Sequence, residues 1–528
     1  MRKGFIITAS LVIIISLLLG LFINPWWYLL LGVTVFLTGM GINDMIQKKH
    51  AIMRTYPVFG RMRFWMEALR PKLYQYFVES DIDGRPVNRI DRSTIYQRAK
   101  RELNTVPFGT QLDVYEEGYE WLSHSIAPKD FNRLDHSPRV MVGNKDCKQP
   151  YSASIFNVSA MSFGSLSANA IEALNAGARI GGFAHNTGEG GLSPHHLKEG
   201  GDIIWKIGTG YFGCRDEEGN FSPELFTEKS TLLNVKMIEL KLSQGAKPGH
   251  GGILPANKNT PEIAAIRHVK PYTTVYSPPF HSAFNTPRGL ILFIKQLRDL
   301  SGGKPVGFKL CVGRKSEFIG ICKAMTELDI YPDFITVDGG EGGTGAAPQE
   351  FSNHVGVPLL DGLAFVHNML VGFNIRHHIR IIAAGKILTG FHLVRAFALG
   401  ADMCNSARAM MMALGCIQAL QCNTNRCPTG VATQDPQLTV GLVVSDKKHR
   451  VANYHEDTVK SCVELMGAAG IESHKKLTRS HIYRRVFMNE VRTLEDIFPS
   501  LEPGCMLAGN IPEKYQQDFK TGVPDSWN

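Results

Sequence analysis

Three cysteines lie close together near the C-terminal end of the chain. Cys416, Cys422 and Cys427 follow the spacing C-x5-C-x4-C, and a proline comes directly after the last of them. Thiolates at such short intervals are typical ligands of a soft metal or an iron–sulfur cluster. Three ligands predict a three-iron cluster, or a four-iron cluster with one outside ligand. Zinc, which usually takes a fourth Cys or His at short spacing, and buried structural thiols are the alternatives.

Glycines and other small residues follow three predicted strands in the second half of the sequence. The segment 338–345 contains the pattern G-x-G-x-x-G, and the segments 384–386 and 405–408 end the next two strands. Glycines let backbone N–H groups approach a phosphate closely. The pattern alone is weak evidence for a dinucleotide site. Taken together, the three loops predict a phosphate-binding site.

Lys309 lies in an apolar strand pattern that should point its side chain into the protein interior. A buried ammonium group is costly unless an anion or a cofactor oxygen pairs with it. We therefore expect Lys309 to face a buried anionic group.

The elements that must position these residues are short apolar strands that alternate with amphipathic helices from about residue 151. The eight predicted strands are 155–160, 183–186, 203–207, 236–240, 306–310, 334–337, 380–384 and 403–406. Eight strands with helical crossovers predict an α/β fold, the (β/α)8 TIM barrel, with a doubly wound sheet as the alternative. In such a barrel the chemistry lies on the loops that follow the strands.

The N-terminal residues form two long uncharged runs, 4–23 and 26–42, separated by Asn24-Pro25. Each run is near the length that crosses a bilayer as a helix. A cleaved signal peptide is the alternative for the first run, but no small-residue cleavage site follows it. Basic residues on both flanks predict a transmembrane helical hairpin with both ends in the cytoplasm. The expected location is therefore the cytoplasmic (inner) membrane, multi-pass, with the catalytic part in the cytoplasm.

The composition predicts a globular protein with reduced cysteines. Of 528 residues, 44% are hydrophobic and 20% are charged, and ten cysteines are too few for a disulfide scaffold. The formal net charge is +9. Residues 44–102 hold 13 Lys or Arg against 7 Asp or Glu, which predicts a basic belt against anionic membrane lipid. A solvated connector is the alternative, and no nucleic-acid partner is expected.

These patterns divide the chain into four predicted segments. They are two transmembrane helices (1–43), a basic helical connector (44–150), the barrel with its cysteine loop (151–445) and a C-terminal helical extension (446–528).

From about residue 154 to 435 the motifs and their order resemble the FMN-binding synthase domain of glutamate synthases. The Gln-Gly-Ala-Lys-Pro-Gly segment and the cysteine loop are the most specific of them. The segments that carry the resemblance are 160–162, 186–190, 244–249, 277–279, Lys309, 339–346 and 422–434.

The resemblance implies a synthase-domain-only protein of that family, an oxidoreductase acting on CH–NH2 donors, and the two N-terminal apolar runs add a membrane anchor. It implies one FMN and a [3Fe–4S] cluster on Cys416, Cys422 and Cys427. The flavin would reduce 2-iminoglutarate, formed from 2-oxoglutarate and ammonia, to glutamate. Electrons would come from an external donor, either ferredoxin-like or a reductase subunit, and ammonia from outside the chain.

The resemblance also implies roles for individual residues. Ala160, Met161 and Ser162 would line the flavin, and Lys309 would face its pyrimidine oxygens. Gly340, Gly343, Gly385 and Arg408 would surround the phosphate. Glu189, Gln244 and Lys247 would meet 2-oxoglutarate, with Lys247 or Arg267 pairing one of its carboxylates.

Two departures leave the substrate open. His250 and Ile253 stand where the family usually has Glu and Gln. A membrane-attached flavin and iron–sulfur electron-transfer subunit, or a 2-hydroxy-acid or amino-acid dehydrogenase, are therefore alternative functions. A homo-oligomer is a further expectation about partners, beside membrane lipid and the electron donor.

Overall fold

The protein is described by a computed structural model that covers residues 1–103 and 105–527. It consists of two compact units, Met1–Asn88 and Arg89–Asn528. The sequence instead predicted segment boundaries after residues 43, 150 and 445. The division into four segments remains a prediction.

The first unit is helical. α1 (Arg2–Phe22) and α2 (Trp27–Ile46) pack against each other, and α3 (Ala51–Thr55) and α4 (Gly60–Leu73) follow, with a π-helical turn at Tyr74–Val78. A Cβ atom on Gly41 would lie 2.1 Å from the ring of Phe5, so a glycine is needed where the two helices meet. α1 and α2 are long and apolar enough to cross a membrane, by length and composition.

The second unit is built around a closed barrel, which confirms the predicted fold and excludes the doubly wound sheet. In the described residues eight parallel strands close in chain order, β1 next to β8. They are β1 (Phe156–Val158), β2 (His185–Asn186), β3 (Ile203–Ile207), β4 (Val235–Lys241), β5 (Val306–Leu310), β6 (Phe334–Asp338), β7 (Arg380–Ala384) and β8 (Met403–Ser406). Helices cover the outer face and side chains fill the inside, so these strands are apolar over most of their length.

Helices connect the strands and surround the barrel. Several begin with Ser or Thr as the capping residue and Pro at the first helical position, such as Thr286-Pro287 and Ser222-Pro223. The cap oxygen accepts a backbone N–H and proline lacks the donor that would be unpaired, so both residues favour a helix start. The helices of this unit are Arg89–Lys100, Ala168–Gly181, Pro194–Leu197, Pro223–Ser230, Pro261–Arg267, Pro287–Leu300, Lys315–Leu328, Gln349–His354, Leu359–Gly372, Gly390–Ala398, Arg408–Leu414, Pro436–Thr439, Val444–Ala468, Leu494–Ile497 and Glu513–Thr521.

Short antiparallel strands lie outside the barrel. Glu120–Leu122 pairs with Ile482–Phe487, which in turn pairs with Glu490–Thr493. Two further pairs are Arg139–Val142 with Tyr151–Ser154 and Ile253–Leu254 with Val275–Tyr276. The chain before the barrel and the chain after it therefore share a small sheet, although the sequence predicted a connector and an extension that were both helical.

Candidate active site and cysteine loop

A pocket opens where the barrel strands end, with an empty volume of about 510 Å³ that includes space open to solvent. Six residues named from the sequence line it: Ala160, Gln244, Lys309, Gly343, Gly385 and Arg408. Asp338, Lys386, Asn405 and Ser406, from the three segments predicted to bind phosphate, line it as well. Ser159 and Lys206 also line it, and the sequence did not single them out as site residues. The carboxyl ends of the strands bring residues from β1 to β8 to one place.

Lys309 carries a stable positive charge in this pocket. Its Nζ lies 2.9 Å from Asp338 Oδ2, and both side chains are buried. Burial disfavours the ammonium form, but Asp338 and Glu239 outweigh it and raise the pKa of Lys309 above its ordinary value. The buried anionic partner expected from the sequence is therefore Asp338, which also accepts the Gly245 N–H at 3.0 Å.

Lys206 and Glu239 form a second buried pair on neighbouring strands β3 and β4. Their charged atoms lie 3.2 Å apart, and Asn186 Nδ2 donates to Glu239 Oε2 at 2.7 Å. Burial lowers the pKa of Lys206 to about 8; Glu239 opposes this effect, whereas Lys309 and Lys241 add to it. Lys206 is thus a cation that an additional anion in the pocket would stabilise.

Glu189 lies in the loop after β2 and pairs with Lys241, whose Nζ donates to Glu189 Oε2 at 2.6 Å. Burial favours the neutral carboxyl group, but Lys241, Lys206 and Lys247 together lower the pKa of Glu189 to about 2. Glu189 is therefore a carboxylate at neutral pH, able to accept hydrogen bonds but not to donate a proton.

Lys247 is buried without a carboxylate at hydrogen-bond distance among the described residues. Its Nζ donates to the backbone oxygen of Ala346 at 2.7 Å, in the loop after β6. Burial lowers its pKa to about 8, an effect that Glu189 opposes and Lys241 reinforces. The close approach of Gly245 to this loop requires glycine, since a Cβ atom there would lie 1.6 Å from Gly339 O. Lys247 is therefore held at the mouth with an ammonium group that lacks a close counter-ion.

Arg267 is buried at the end of the helix Pro261–Arg267. Its Nη2 donates to Phe163 O at 3.1 Å, and its guanidinium lies over the Phe212 ring with 5.2 Å to the centroid. Burial lowers its pKa to about 10, while the charge of Glu189 opposes this. Its Nε has no hydrogen-bond partner among the described residues. Of the two cations named for a substrate carboxylate, Lys247 is the one whose ammonium faces the loops of the mouth.

The glycines near the pocket differ in their backbone conformation, close contacts and hydrogen bonding. Gly385 has φ +130°, and a Cβ atom on it would lie 3.2 Å from Gly339 N. A Cβ atom on Gly343 would lie 3.0 Å from the Arg408 side chain, which donates to Glu341 O at 2.6 Å. The N–H of Gly340 donates a hydrogen bond to Val357 O at 2.8 Å. The backbone at Gly343 and Gly385 thus forms a close cradle, and Arg408 adds one cation to it. This arrangement fits a phosphate group. The N–H of Gly340 is already hydrogen-bonded to Val357.

Met161 and Ser162 stand beside the pocket but outside its lining. Both are buried, and Ser162 Oγ donates to Ser165 Oγ at 3.0 Å. Ala160 is the residue of this segment that reaches the pocket surface.

His250 and Ile253, the departures from the family pattern, belong to one loop that touches Glu189. A Cβ atom on Gly252 would lie 2.7 Å from Glu189 Oε1. The His250 ring contacts the Phe351 ring edge-on, at 5.2 Å between centroids, and Ile253 pairs with Tyr276. The loop that carries these two residues therefore approaches Glu189 at Gly252.

The cysteine loop packs against the segment that follows the Ala160 strand end. Gln434 Nε2 donates to the oxygens of Gly164 and Leu166 at 3.1 and 2.8 Å, and Ser167 Oγ donates to Gly430 O at 2.7 Å. Cys416, Cys422 and Cys427 are all free thiols. No three His, Cys, Asp or Glu side chains within residues 1–103 and 105–527 are grouped so as to hold a metal ion.

The three thiols nevertheless influence one another. Burial raises the pKa of Cys416 to about 12, with Cys422 and Cys427 adding to the effect. Burial also opposes ionisation of Cys427, but hydrogen bonds from Thr429 and from nearby backbone N–H groups outweigh it and lower that pKa. The backbone around Cys427 is therefore arranged for a thiolate, the form that binds iron or zinc. Cysteine thiolates are the donor type that iron–sulfur clusters use.

Lys258 is a functional candidate that the sequence did not reveal. Its Nζ donates to Ser165 O and Ala432 O at 3.0 and 2.8 Å, so it joins the cysteine loop to the segment after β1. Its side chain is buried, and burial lowers its pKa to about 8, an effect that the charges of Cys422 and Cys427 oppose.

The sequence did not identify Lys206, Glu239 and Lys241 as site residues either. They could have been recognised because they are charged residues inside otherwise apolar strands. Lys206 interrupts Ile-Ile-Trp-Lys-Ile, and Glu239 and Lys241 alternate at the end of β4. Residues two apart on a strand share a face, so Glu239 and Lys241 had to point the same way.

The fold and the site define an α/β-barrel protein with a cation-rich pocket at the strand ends and a loop of three cysteines packed next to it. Residues 93–472 match the family model described as a conserved region in glutamate synthase. The chain belongs to the glutamate synthase family and is an oxidoreductase of that type.

Individual relatives agree with this assignment. The chain is 38% identical over 483 residues to "Glutamate synthase large subunit-like protein YerD" of Bacillus subtilis (strain 168), across 84% of this chain and 91% of that protein. It is 35% identical over 318 residues to the archaeal glutamate synthase (NADPH) of Methanocaldococcus jannaschii, across 60% of this chain and 59% of that protein. The ferredoxin-dependent glutamate synthase of Cyanidium caldarium is 37% identical over 413 residues, and the match spans 24% of its length.

Proposed function

We propose that the chain is a flavin- and iron–sulfur-dependent oxidoreductase that forms glutamate. In the proposed reaction 2-oxoglutarate and ammonia lose water to give 2-iminoglutarate, which gains two electrons and two protons. The observation that carries the proposal is the pocket at the strand ends, which Lys206 and Lys309 line. Lys241 and Lys247 lie beside it, close enough for their charges to act on Glu189. Together these lysines outnumber the nearby carboxylates Glu189, Glu239 and Asp338 among the described residues, so the site favours anionic ligands.

FMN would bind in this pocket and supply the two-electron transfer. Gly343, Gly385 and Arg408 would hold its phosphate, and Lys309, kept charged by Asp338, would stabilise negative charge on the ring oxygens. Ala160 and Gln244 line the same pocket.

The substrate would bind between Lys247 and Glu189. Lys247 would pair with a carboxylate of 2-oxoglutarate, since its ammonium has no close counter-ion. Glu189 remains ionised, so its carboxylate would accept an N–H of the imine and orient it. Lys241, hydrogen-bonded to Glu189 Oε2, would hold the nearest proton at Nζ.

Cys416, Cys422 and Cys427 would hold a [3Fe–4S] cluster through which an external donor delivers electrons. The support is the hydrogen bonding that lowers the pKa of Cys427, together with the packing of this loop on the segment that follows Ala160.

α1 and α2 would anchor the chain in the cytoplasmic membrane, with the barrel in the cytoplasm. Their length, apolar composition and exposed apolar side chains support this part of the proposal.

A second candidate is an electron-transfer subunit or a dehydrogenase for a different acid. It is favoured by the departures at His250 and Ile253, which lie in the loop that approaches Glu189 at Gly252. Anaerobic turnover of the purified protein with 2-oxoglutarate, ammonium and a reduced low-potential donor decides between the candidates. Glutamate formation supports the first, and reduction of the protein without glutamate formation supports the second.

We expect one non-covalent FMN per chain. Heating the purified protein should release FMN, identified by chromatography, and Arg408→Ala should lower its occupancy because the cradle loses its cation. Arg380→Ala, on the barrel strand β7 but with its side chain toward Met141 O, is the matched control and should retain FMN. Recovery of FAD, or of no flavin from folded protein, would contradict the assignment.

We expect a three-iron electron paramagnetic resonance signal from oxidised protein. Cys422→Ser should abolish the signal and lower the iron content, because a cluster ligand is lost. Cys462→Ser, a buried thiol on the helix Val444–Ala468, should leave both unchanged. Zinc in place of iron in anaerobically prepared protein would refute the cluster.

We expect the full chain to float with lipid vesicles after a carbonate wash, as an integral membrane protein does. A chain that lacks residues 1–46 should remain in the soluble fraction with its flavin. Release of the full chain by carbonate would exclude a transmembrane anchor.

A further inference from the structure

The helix that follows the two apolar helices has an unusual surface. Residues 59–78, the juxtamembrane helix, comprise Phe59, α4 and the π-helical turn, and extend for roughly 28 Å at 1.5 Å per residue. Its exposed side chains include Phe59, Met62, Trp65, Tyr76, Phe77 and Val78. Trp65 is 64% exposed and Phe77 is 82% exposed, which is unfavourable for large aromatic side chains in water.

The same helix is basic. It contains Arg61, Arg63, Arg70 and Lys72 against one acidic residue, Glu67, a net charge of +3. Arg63 pairs with Glu67, and both side chains remain more than half exposed. Too many charges are present for a membrane span, whereas exposed aromatic residues combined with basic residues are typical of helices that lie in the membrane interface.

The start of the juxtamembrane helix is fixed to the end of α2. Arg61 donates to the buried Asp44 carboxylate through Nη2 at 2.6 Å, and the N–H of Val58 donates to the same carboxylate at 3.0 Å. The His50 and Phe64 rings are in contact, with 4.7 Å between centroids. Because α2 would leave the hydrocarbon core near Ile46, these contacts hold the helix at the level of the lipid headgroups.

We propose that the juxtamembrane helix lies in the membrane surface and binds anionic lipid headgroups. Aromatic and aliphatic side chains enter the headgroup–acyl boundary, while Arg63, Arg70 and Lys72 contact headgroup phosphates. The inference rests on the proposed anchoring by α1 and α2 and adds a third, lipid-selective membrane contact to it.

The test uses the full chain in nanodiscs of phosphatidylcholine, with or without phosphatidylglycerol, and amide hydrogen exchange of residues 60–78. Each basic residue near an anionic membrane surface changes the partitioning of a segment between water and the membrane by about fivefold. We expect exchange to slow about tenfold or more when phosphatidylglycerol is added. The variant R63Q/R70Q/K72Q should lose most of this effect. The matched variant K270Q/K475Q/K520Q, which removes three exposed lysines of the barrel unit, should behave as the wild type.

The outcomes separate this inference from the anchor. Equal exchange in the two lipids overturns the inference while incorporation into the nanodisc still supports the anchor. Full protection already present in detergent indicates protein contact and also overturns it. A chain that does not enter the nanodisc excludes the anchor, and the inference with it.

Discussion

The variant Asp333→Asn is expected to lose about 3–5 kcal/mol of unfolding free energy, because it leaves a buried guanidinium without its anion. Asp333 precedes β6, and its Oδ2 accepts from Arg298 Nε and Nη2 at 3.1 and 2.9 Å. The carboxylate also accepts the N–H groups of Val306 and Asn144, each at 2.8 Å. Both members of the ion pair are almost completely buried. An asparagine keeps the volume but removes the charge and one acceptor.

Urea denaturation followed by near-ultraviolet circular dichroism measures this loss. The control is Asp299→Asn, whose carboxylate pairs with Lys295 at 2.6 Å on a surface where both side chains are more than half exposed. That pair should contribute less than about 1 kcal/mol. Similar losses in the two variants would show that the Arg298–Asp333 pair is not a main support of the barrel. Asp333 lies at the end of β6 opposite the pocket, so FMN content per folded chain should stay unchanged.

The variant Lys247→Ala is expected to have a lower kcat/KM for 2-oxoglutarate. The decrease should correspond to a loss of about 2–4 kcal/mol of transition-state stabilisation. The reason is that the Lys247 ammonium lacks a close counter-ion and a substrate carboxylate would supply one. FMN and iron content should stay at the wild-type level, because Lys247 lies outside the lining of the flavin pocket.

Lys304→Ala is the matched control for this variant. Lys304 is also buried, its Nζ donates only to backbone oxygens, those of Ser230 and Leu232, and burial lowers its pKa to about 8. It precedes β5, at the end of the barrel away from the pocket. Its loss should reduce stability but not kcat/KM of the folded enzyme. Equal kcat/KM in wild type and Lys247→Ala would falsify the substrate assignment.

The pH dependence of KM provides a further measure of the same residue. Burial lowers the pKa of Lys247 to about 8, so the ammonium is present below pH 8 and lost above it. The KM for 2-oxoglutarate should therefore rise as the pH passes through 8 in the wild type. In Lys247→Ala this rise should disappear, since no proton at that position affects binding.

The sequence determined the barrel because each strand is buried on both faces and therefore appears as an apolar run. The predicted strands 203–207, 306–310, 380–384 and 403–406 have the same bounds in the structure. The predicted strand 183–186 is shorter, with only His185 and Asn186 in the sheet. Phe183 is buried with its ring against His455, although its backbone does not pair in the sheet. Its burial explains why an apolar residue at this position resembled part of a strand. The cysteine loop and the glycine segments were also recognisable, since their spacing is local.

The sequence could not determine which charged groups meet inside the barrel. Lys309 and Asp338 come from the neighbouring strands β5 and β6, and Glu189 and Lys241 from the loop after β2 and the end of β4. The sequence named Arg267 as one of two possible partners of a substrate carboxylate, but it did not reveal that the guanidinium lies over Phe212 and donates to Phe163 O. Strand register and barrel closure decide such pairings, and a shift of one residue would turn each side chain to the opposite face. Residue types and local spacing are therefore readable from the sequence, while the charge partners that set each pKa are created only when the eight strands close.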